Sequence, residues 1–182
     1  MEDKIKEISR LIAYAKALNM QLNIKDNFST RFKLQKLSFL LRILNNEDIR
    51  DFNLYTHGPY SPYEATLYYA YSAGGITAQS CEIIDEYKEK LNAVFSQKYE
   101  KIIEGTATVL YLINTKKASW KDIYRKLKEA KPNFSIGELV DSIDLAKNFV
   151  LTKEDWNEIY KTAQEESKAW ERASLEDISD SL

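Results

Sequence analysis

Apolar positions follow a helical period through most of the chain, and the densest run is Phe28 to Leu44. There Leu34, Leu37, Leu41 and Leu44 step by three and four residues, with Phe32, Phe39, Leu40 and Ile43 filling most of the remaining circumference. At about 100° per residue, only Arg31, Gln35, Ser38 and Arg42 form a narrow polar strip. A helix apolar on nearly every side belongs inside a domain, so this stretch is the expected centre of the fold. Ser29 is the expected N-cap, its hydroxyl accepting a first-turn amide proton.

Glu2 to Asn19 reads as a first amphipathic helix on Ile5, Ile8, Leu11, Ile12, Ala15 and Leu18. Asp51–Tyr55 alternates polar and apolar side chains and predicts a short strand. Gly58-Pro59 then marks a sharp turn. Ser61-Pro62-Tyr63-Glu64 predicts a helix start, with Ser as cap, Pro at the first helical position and Glu closing a capping box. That helix stops at Gly74-Gly75. Beyond it the pattern predicts helices over Glu82–Ile103, Thr106–Asn114, Trp120–Ala130 and Ile136–Lys147. A short Phe149-Val150-Leu151 strand and a last helix from Thr152 to about Trp170 follow.

The expected architecture is mainly α, a helical bundle with helix-turn-helix units and a minor two- or three-stranded β element. Residues 1–151 form a single domain in two halves, 1–104 and 105–151, the second winged-helix-like, with 152–182 an acidic C-terminal helix. Residues 152–182 hold nine acids and four bases, a net of −5, which leaves +3 of the total −2 for residues 1–151. A charge of −2 argues against non-specific coating of nucleic acid. No apolar run approaches the ~18 residues of a membrane span, and Met1–Arg10 does not read as a signal peptide. With Cys81 the single cysteine, a reducing, cytoplasmic setting is the expected one.

Candidate chemistry is sparse. One His and one Cys exclude a two-His zinc site or a cysteine cluster. His57 and Cys81 could pair as base and nucleophile; the plainer reading has His57 shaping a turn and Cys81 near a helix start. The five glycines never reach phosphate-loop spacing. No catalytic, metal or cofactor-binding residues are therefore assigned. Within 106–151 the outline of a winged helix-turn-helix is present, but its would-be recognition helix carries Glu138, Asp141 and Asp144 against Lys147. The basic residues lie one helix earlier, and Lys121, Arg125 and Lys128 are the nucleic-acid contacts if the unit binds DNA. Tyr55, Tyr60, Tyr63, Tyr68, Tyr69 and Tyr71 crowd into one stretch, either a core edge or a binding surface.

Arg31-Phe-Lys-Leu-Gln-Lys-Leu37, followed after a short strand by Gly58-Pro59-Tyr60-Ser61, resembles the YwgA-type proteins. It is similar, more distantly, to the Panacea domain of SocA-like antitoxins and proteolytic adaptors. The matching motif residues are Lys33, Gln35, Lys36, Gly58, Pro59, Tyr60 and Ser61, and His57 stands where that family usually has Tyr. The resemblance implies a compact, mainly helical, cytoplasmic, non-enzymatic protein acting through partners. The leading expectation is thus a regulatory protein-interaction module of antitoxin or adaptor type, with a toxin-like or regulatory protein as partner. The alternative is a winged helix-turn-helix transcription regulator, the only reading with DNA as partner.

Tyr63 is one candidate partner contact. Another is the seam Trp156, Tyr160, Ala163, Ser167, Trp170, close to the 3.5-residue coiled-coil period. On that seam Trp170 is expected to dock on a second copy of the chain while Trp156 packs on the parent domain; the alternative is that both close the domain's own core.

Overall fold

The computed structural model describes residues 2–152 and, beyond them, 154–158, 160–162, 164–165 and 167–168. Its internal contacts divide the chain into two units, Met1–Phe149 and Val150–Leu182. The first holds helices α1 (Glu2–Ala17), α2 (Phe28–Leu44), α3 (Pro62–Ser72), α4 (Asp85–Phe95), α5 (Glu100–Lys116) and α6 (Ile123–Ala130), and α7 (Ile136–Val150) up to the division. Strands β1 (Asn53–Tyr55) and β2 (Gly58–Tyr60) form a two-stranded antiparallel hairpin between α2 and α3. The protein is therefore mainly helical with a small β element. Among the described residues, no helix is long and apolar enough to cross a membrane.

Helix α2 sits at the centre, packed against α1, α3, α4, α5 and β2. Its apolar residues Leu34, Leu37, Phe39, Leu40 and Leu41 are all buried, as the pattern requires. Its cap is Asn27 rather than Ser29: the Asn27 side chain accepts from the Thr30 amide at 3.2 Å, and Ser29 instead hydrogen-bonds the Glu100 carboxylate. Ser61 caps α3, accepting from the Glu64 amide at 3.2 Å, with Pro62 first in the helix. The return bond of the capping box is absent, because the Ser61 amide donates to Gln35 and the Glu64 carboxylate to which it would donate is taken by Arg42.

Three sequence expectations are corrected. The helix read over Glu82–Ile103 breaks at residues 96–99, and α5 runs on through Gly105, so the division between the halves 1–104 and 105–151 falls inside one helix. Gly105 is a close-approach residue: a Cβ there would lie 2.7 Å from the Ser142 Cβ on α7 and 3.1 Å from the Phe134 ring. Second, Phe149-Val150 is helical, not a strand; Phe149 extends the buried α7 stripe of Leu139, Ile143 and Ala146. The strand partner of β1 is Gly58–Tyr60, paired Asn53 to Tyr60 and Tyr55 to Gly58. A winged-helix reading of 106–151 thereby loses the wing strand it assumed. Third, Ser119 closes a turn onto Asp122, and α6 starts only at Ile123. At the start of α7, which begins at Ile136 as expected, Ser135 and Glu138 make reciprocal bonds.

In the second unit, Thr152 and Asp155 form a reciprocal cap, and the Trp156 and Tyr160 rings lie 6.0 Å apart. Tyr160 is exposed. Trp170, the anchor of the predicted self-contact, lies outside the described residues.

Candidate functional site: an aromatic cleft over a clamped hairpin

The polar strip of α2 faces the hairpin and the start of α3. Gln35, buried, reads the main chain of Ser61 twice: Nε2 donates to the Ser61 carbonyl and Oε1 accepts from the Ser61 amide, both at 3.0 Å. The same Nε2 donates to the Tyr68 hydroxyl at 3.3 Å. Next to it, the Lys36 ammonium donates to the Pro59 carbonyl at 2.8 Å and lies 5.0 Å from the Phe32 ring centre. Two turns further, Arg42 bridges Glu64 at 2.5 Å and Asp51 at 2.8 Å, and Asp51 accepts from the Ser61 hydroxyl. Gln35, Lys36, Gly58, Pro59 and Ser61 are thus one assembly in which a helix face holds a tight turn. Lys33 points away from it, 3.9 Å from Glu100.

The tip of the hairpin is held from its other side by α5 and the residues after α6. Lys131 donates to the Thr56 carbonyl at 2.6 Å and pairs with Glu104 at 2.7 Å, and His57 Nδ1 lies 3.3 Å from the other Glu104 oxygen. His57 also meets Phe28 edge-on, ring centres 5.4 Å apart. Gly58 at φ +84° lets the chain pass over Lys36 and Thr108.

Two clefts open beside this hairpin. The first, about 410 Å³, is lined by the aromatic rings of Phe28, Phe32, Tyr55, Tyr60, Tyr68 and Tyr69, by Arg31, Gln35, Lys36 and His57, and by Thr56 and Gly58. Phe28, Tyr55 and Tyr69 are exposed at its rim, whereas Gln35, Lys36 and Tyr68 are buried at its floor. The second, about 580 Å³, shares Phe28, Phe32, Thr56 and His57 and adds Glu100, Lys101, Glu104 and Lys131 among its walls.

Burial shapes the ionisation of the floor. With little water and Lys131 nearby, only partly offset by Glu104, the Lys36 amine is brought down to about 7. The Tyr68 hydroxyl is pushed up to about 12 by burial, against the opposing bond from Gln35, and so keeps its proton at neutral pH. Lys36 in the unfolded chain titrates near its ordinary 10.5. Between about 7 and 10.5 the unfolded chain therefore holds a proton the folded chain has lost, and raising the pH favours the fold. Wild type is expected to gain roughly 2–3 kcal/mol over Lys36→Met between about pH 7 and pH 9.5. Urea midpoints across that range check it, and parallel curves would refute it.

Compared with models of protein families, with curated proteins and with solved structures, the chain matches none.

The remaining sequence candidates lie elsewhere. Tyr63 spends its hydroxyl on Glu7 at 2.7 Å. Cys81 lies in the segment beside Tyr14, with its thiol against the Glu82 carbonyl, while His57 is engaged with Glu104 and Phe28; the two are not brought together as base and nucleophile. Lys121 and Arg125 are exposed, Arg125 pairing with Glu129 at 2.9 Å. Lys128 donates to the carbonyls of Pro132 and Phe134. Among the described residues no group of three or more His, Cys, Asp or Glu is placed to hold a metal ion. The sequence reading missed Phe28, Arg31 and Glu104 as site residues. The first two stand two turns and one turn before Gln35, so the helical period could have found them; Glu104 arrives only through the tertiary fold.

Proposed function

We propose that this chain is a cytoplasmic, non-enzymatic regulatory interaction module of antitoxin or adaptor type, and that its contact surface is the aromatic cleft beside the hairpin. The observation that supports this reading is the placement of the exposed rings of Phe28, Tyr55 and Tyr69 around one opening, over a turn clamped to α2. Large apolar rings left in water on a rigid support are the ordinary anchors of a protein contact. The resemblance of the clamp residues to the YwgA-type motif points the same way. The DNA-regulator alternative gains nothing from α6, where Arg125 is paired with acids and Lys128 is spent on carbonyls. The acidic Asp141 and Asp144 remain exposed on α7.

A photo-crosslinking residue in place of Tyr55, used in the native cell, is expected to trap a discrete protein, and Phe28→Ser or Tyr69→Ser to abolish the adduct. The same residue at Lys88 on α4 should stay silent. Equal labelling from both positions, or none from Tyr55, would remove the cleft as the contact surface. Sequence-specific, salt-sensitive DNA retention that is lost in Lys121→Glu, Arg125→Glu and Lys128→Glu would establish the alternative instead.

A further inference from the structure

The floor of the aromatic cleft carries hydrogen-bond donors with protons to spare. Lys36 and Tyr68 are each only 2% exposed, yet both line the opening. An ammonium has three protons, and Lys36 gives one to the Pro59 carbonyl. Tyr68 accepts from Gln35 Nε2, and among the described residues no acceptor is paired with its own proton; Gln35 Oε1 is already engaged by the Ser61 amide. Arg31, tied through Nη1 to the carbonyls of Ile24 and Lys25, adds a second cation to the wall. No carboxylate lines this cleft, in contrast to its neighbour, where Glu100 and Glu104 do. An ionised carboxylate is the complementary group, since it accepts hydrogen bonds and donates none.

The walls specify the rest of the ligand. Phe28, Phe32, Tyr55, Tyr60 and Tyr69 offer ring faces and edges suited to a flat apolar body. The volume of about 410 Å³ falls within the roughly 300–1,000 Å³ of small-molecule sites. We propose that the cleft binds a small planar aromatic carboxylic acid, its ring held between the rim aromatics and its carboxylate accepting from Lys36 Nζ and the Tyr68 hydroxyl. The inference rests on the cleft being the working surface of the module, and adds a diffusible acid that would compete with the protein partner for it.

Titration of Lys36 gives this binding a signature. A carboxylate beside it favours the ammonium, so binding near neutral pH draws a proton onto an amine that is about half deprotonated in the empty protein. The charged groups that act on that amine are Glu104 from α5 and Lys131 after α6. The other titratable or charged groups lining the same cleft are His57 and Tyr55 in the hairpin, Tyr60, Tyr68 and Tyr69, and Arg31 on α2 itself.

Calorimetric titration of the full chain with 2-naphthoate, against the neutral 2-naphthamide, tests the proposal. Naphthoate is expected to bind at least about tenfold more tightly than the amide, the worth of a charge-assisted bond. Proton uptake should appear on comparing buffers of different ionisation enthalpy, and affinity should fall from about pH 7 to pH 9. Tyr68→Phe, a conservative change, should weaken naphthoate about fivefold or more and leave the amide unchanged. Lys36→Met, checked for folding by circular dichroism, should weaken it further and abolish the proton uptake. Equal affinity for acid and amide, absence of saturable binding up to about 1 mM, or an acid affinity indifferent to Tyr68 would overturn it. A Tyr55 cross-link obtained without any acid binding would sink this inference alone and leave the contact surface standing.

Discussion

Gly58→Val is expected to lower stability by about 3–4 kcal/mol, a fall in Tm of roughly 6–16 °C for a chain of this size. Two costs combine. At φ +84° a residue with a Cβ meets its own backbone, and a β-branched one does so most severely. The new Cβ would also stand 3.1 Å from Thr108 Oγ1 and 3.4 Å from both the Glu104 carbonyl and the Lys36 Cε. Relief requires the hairpin to lift off α2, which would break the Lys36–Pro59 and Gln35–Ser61 bonds together. Gly58→Ala should show about half the effect. An unchanged melting curve for the valine variant would mean that the turn is not held where the structure places it.

Arg42→Met should be as damaging, about 3–5 kcal/mol, for an electrostatic reason. Arg42 supplies the cation to Glu64 and Asp51 and also donates to the Asp48 carbonyl. The Glu64 side chain is only 3% exposed, and burial already raises its pKa, against Arg42 and Ser38, which both favour the carboxylate. Methionine keeps much of the volume and removes the charge, so the folded chain must either hold the buried Glu64 carboxylate without its paired cation or take up a proton. A folded-state pKa above the unfolded one gives stability at low pH that is lost as the pH rises through it. The deficit of Arg42→Met should accordingly grow from acid to neutral pH. Adding Glu64→Leu should restore part of the loss, and a double variant no more stable than the single one would show that Glu64 is not the group left stranded.

How far the sequence anticipates these results depends on whether the cause is local. The bounds of α2 are legible because the apolar period is strong, and the start of α3 because Ser61 and Pro62 are chemical requirements of a helix N-terminus. Gly105 misleads, since a glycine that ends a helix and one that admits a neighbouring helix look alike until Ser142 is in place. Phe149-Val150-Leu151 misleads because a short apolar run fits either period, and the buried stripe of α7 decides for the helix. In the site, the narrow strip Gln35, Ser38, Arg42 is visible as polar, but its task is not: each side chain answers to groups 22 or more residues away, at Ser61 and Glu64. Glu104 and Lys131 are invisible for the same reason, being joined to the hairpin only by tertiary packing.

The anchors that hold the hairpin share one property. Lys131 takes the Thr56 carbonyl, Lys36 the Pro59 carbonyl, and Gln35 the amide and carbonyl of Ser61. All four are peptide atoms, present whatever side chains stand at the tip. Tyr55 and Thr56 can therefore be exchanged without loosening these four bonds, provided Gly58 is kept, whereas an exchange at His57 gives up its contacts with Glu104 and Phe28. A molecule built this way can diverge rapidly in what it recognises while its frame stays constant, and the tip becomes a natural place for grafting a new specificity.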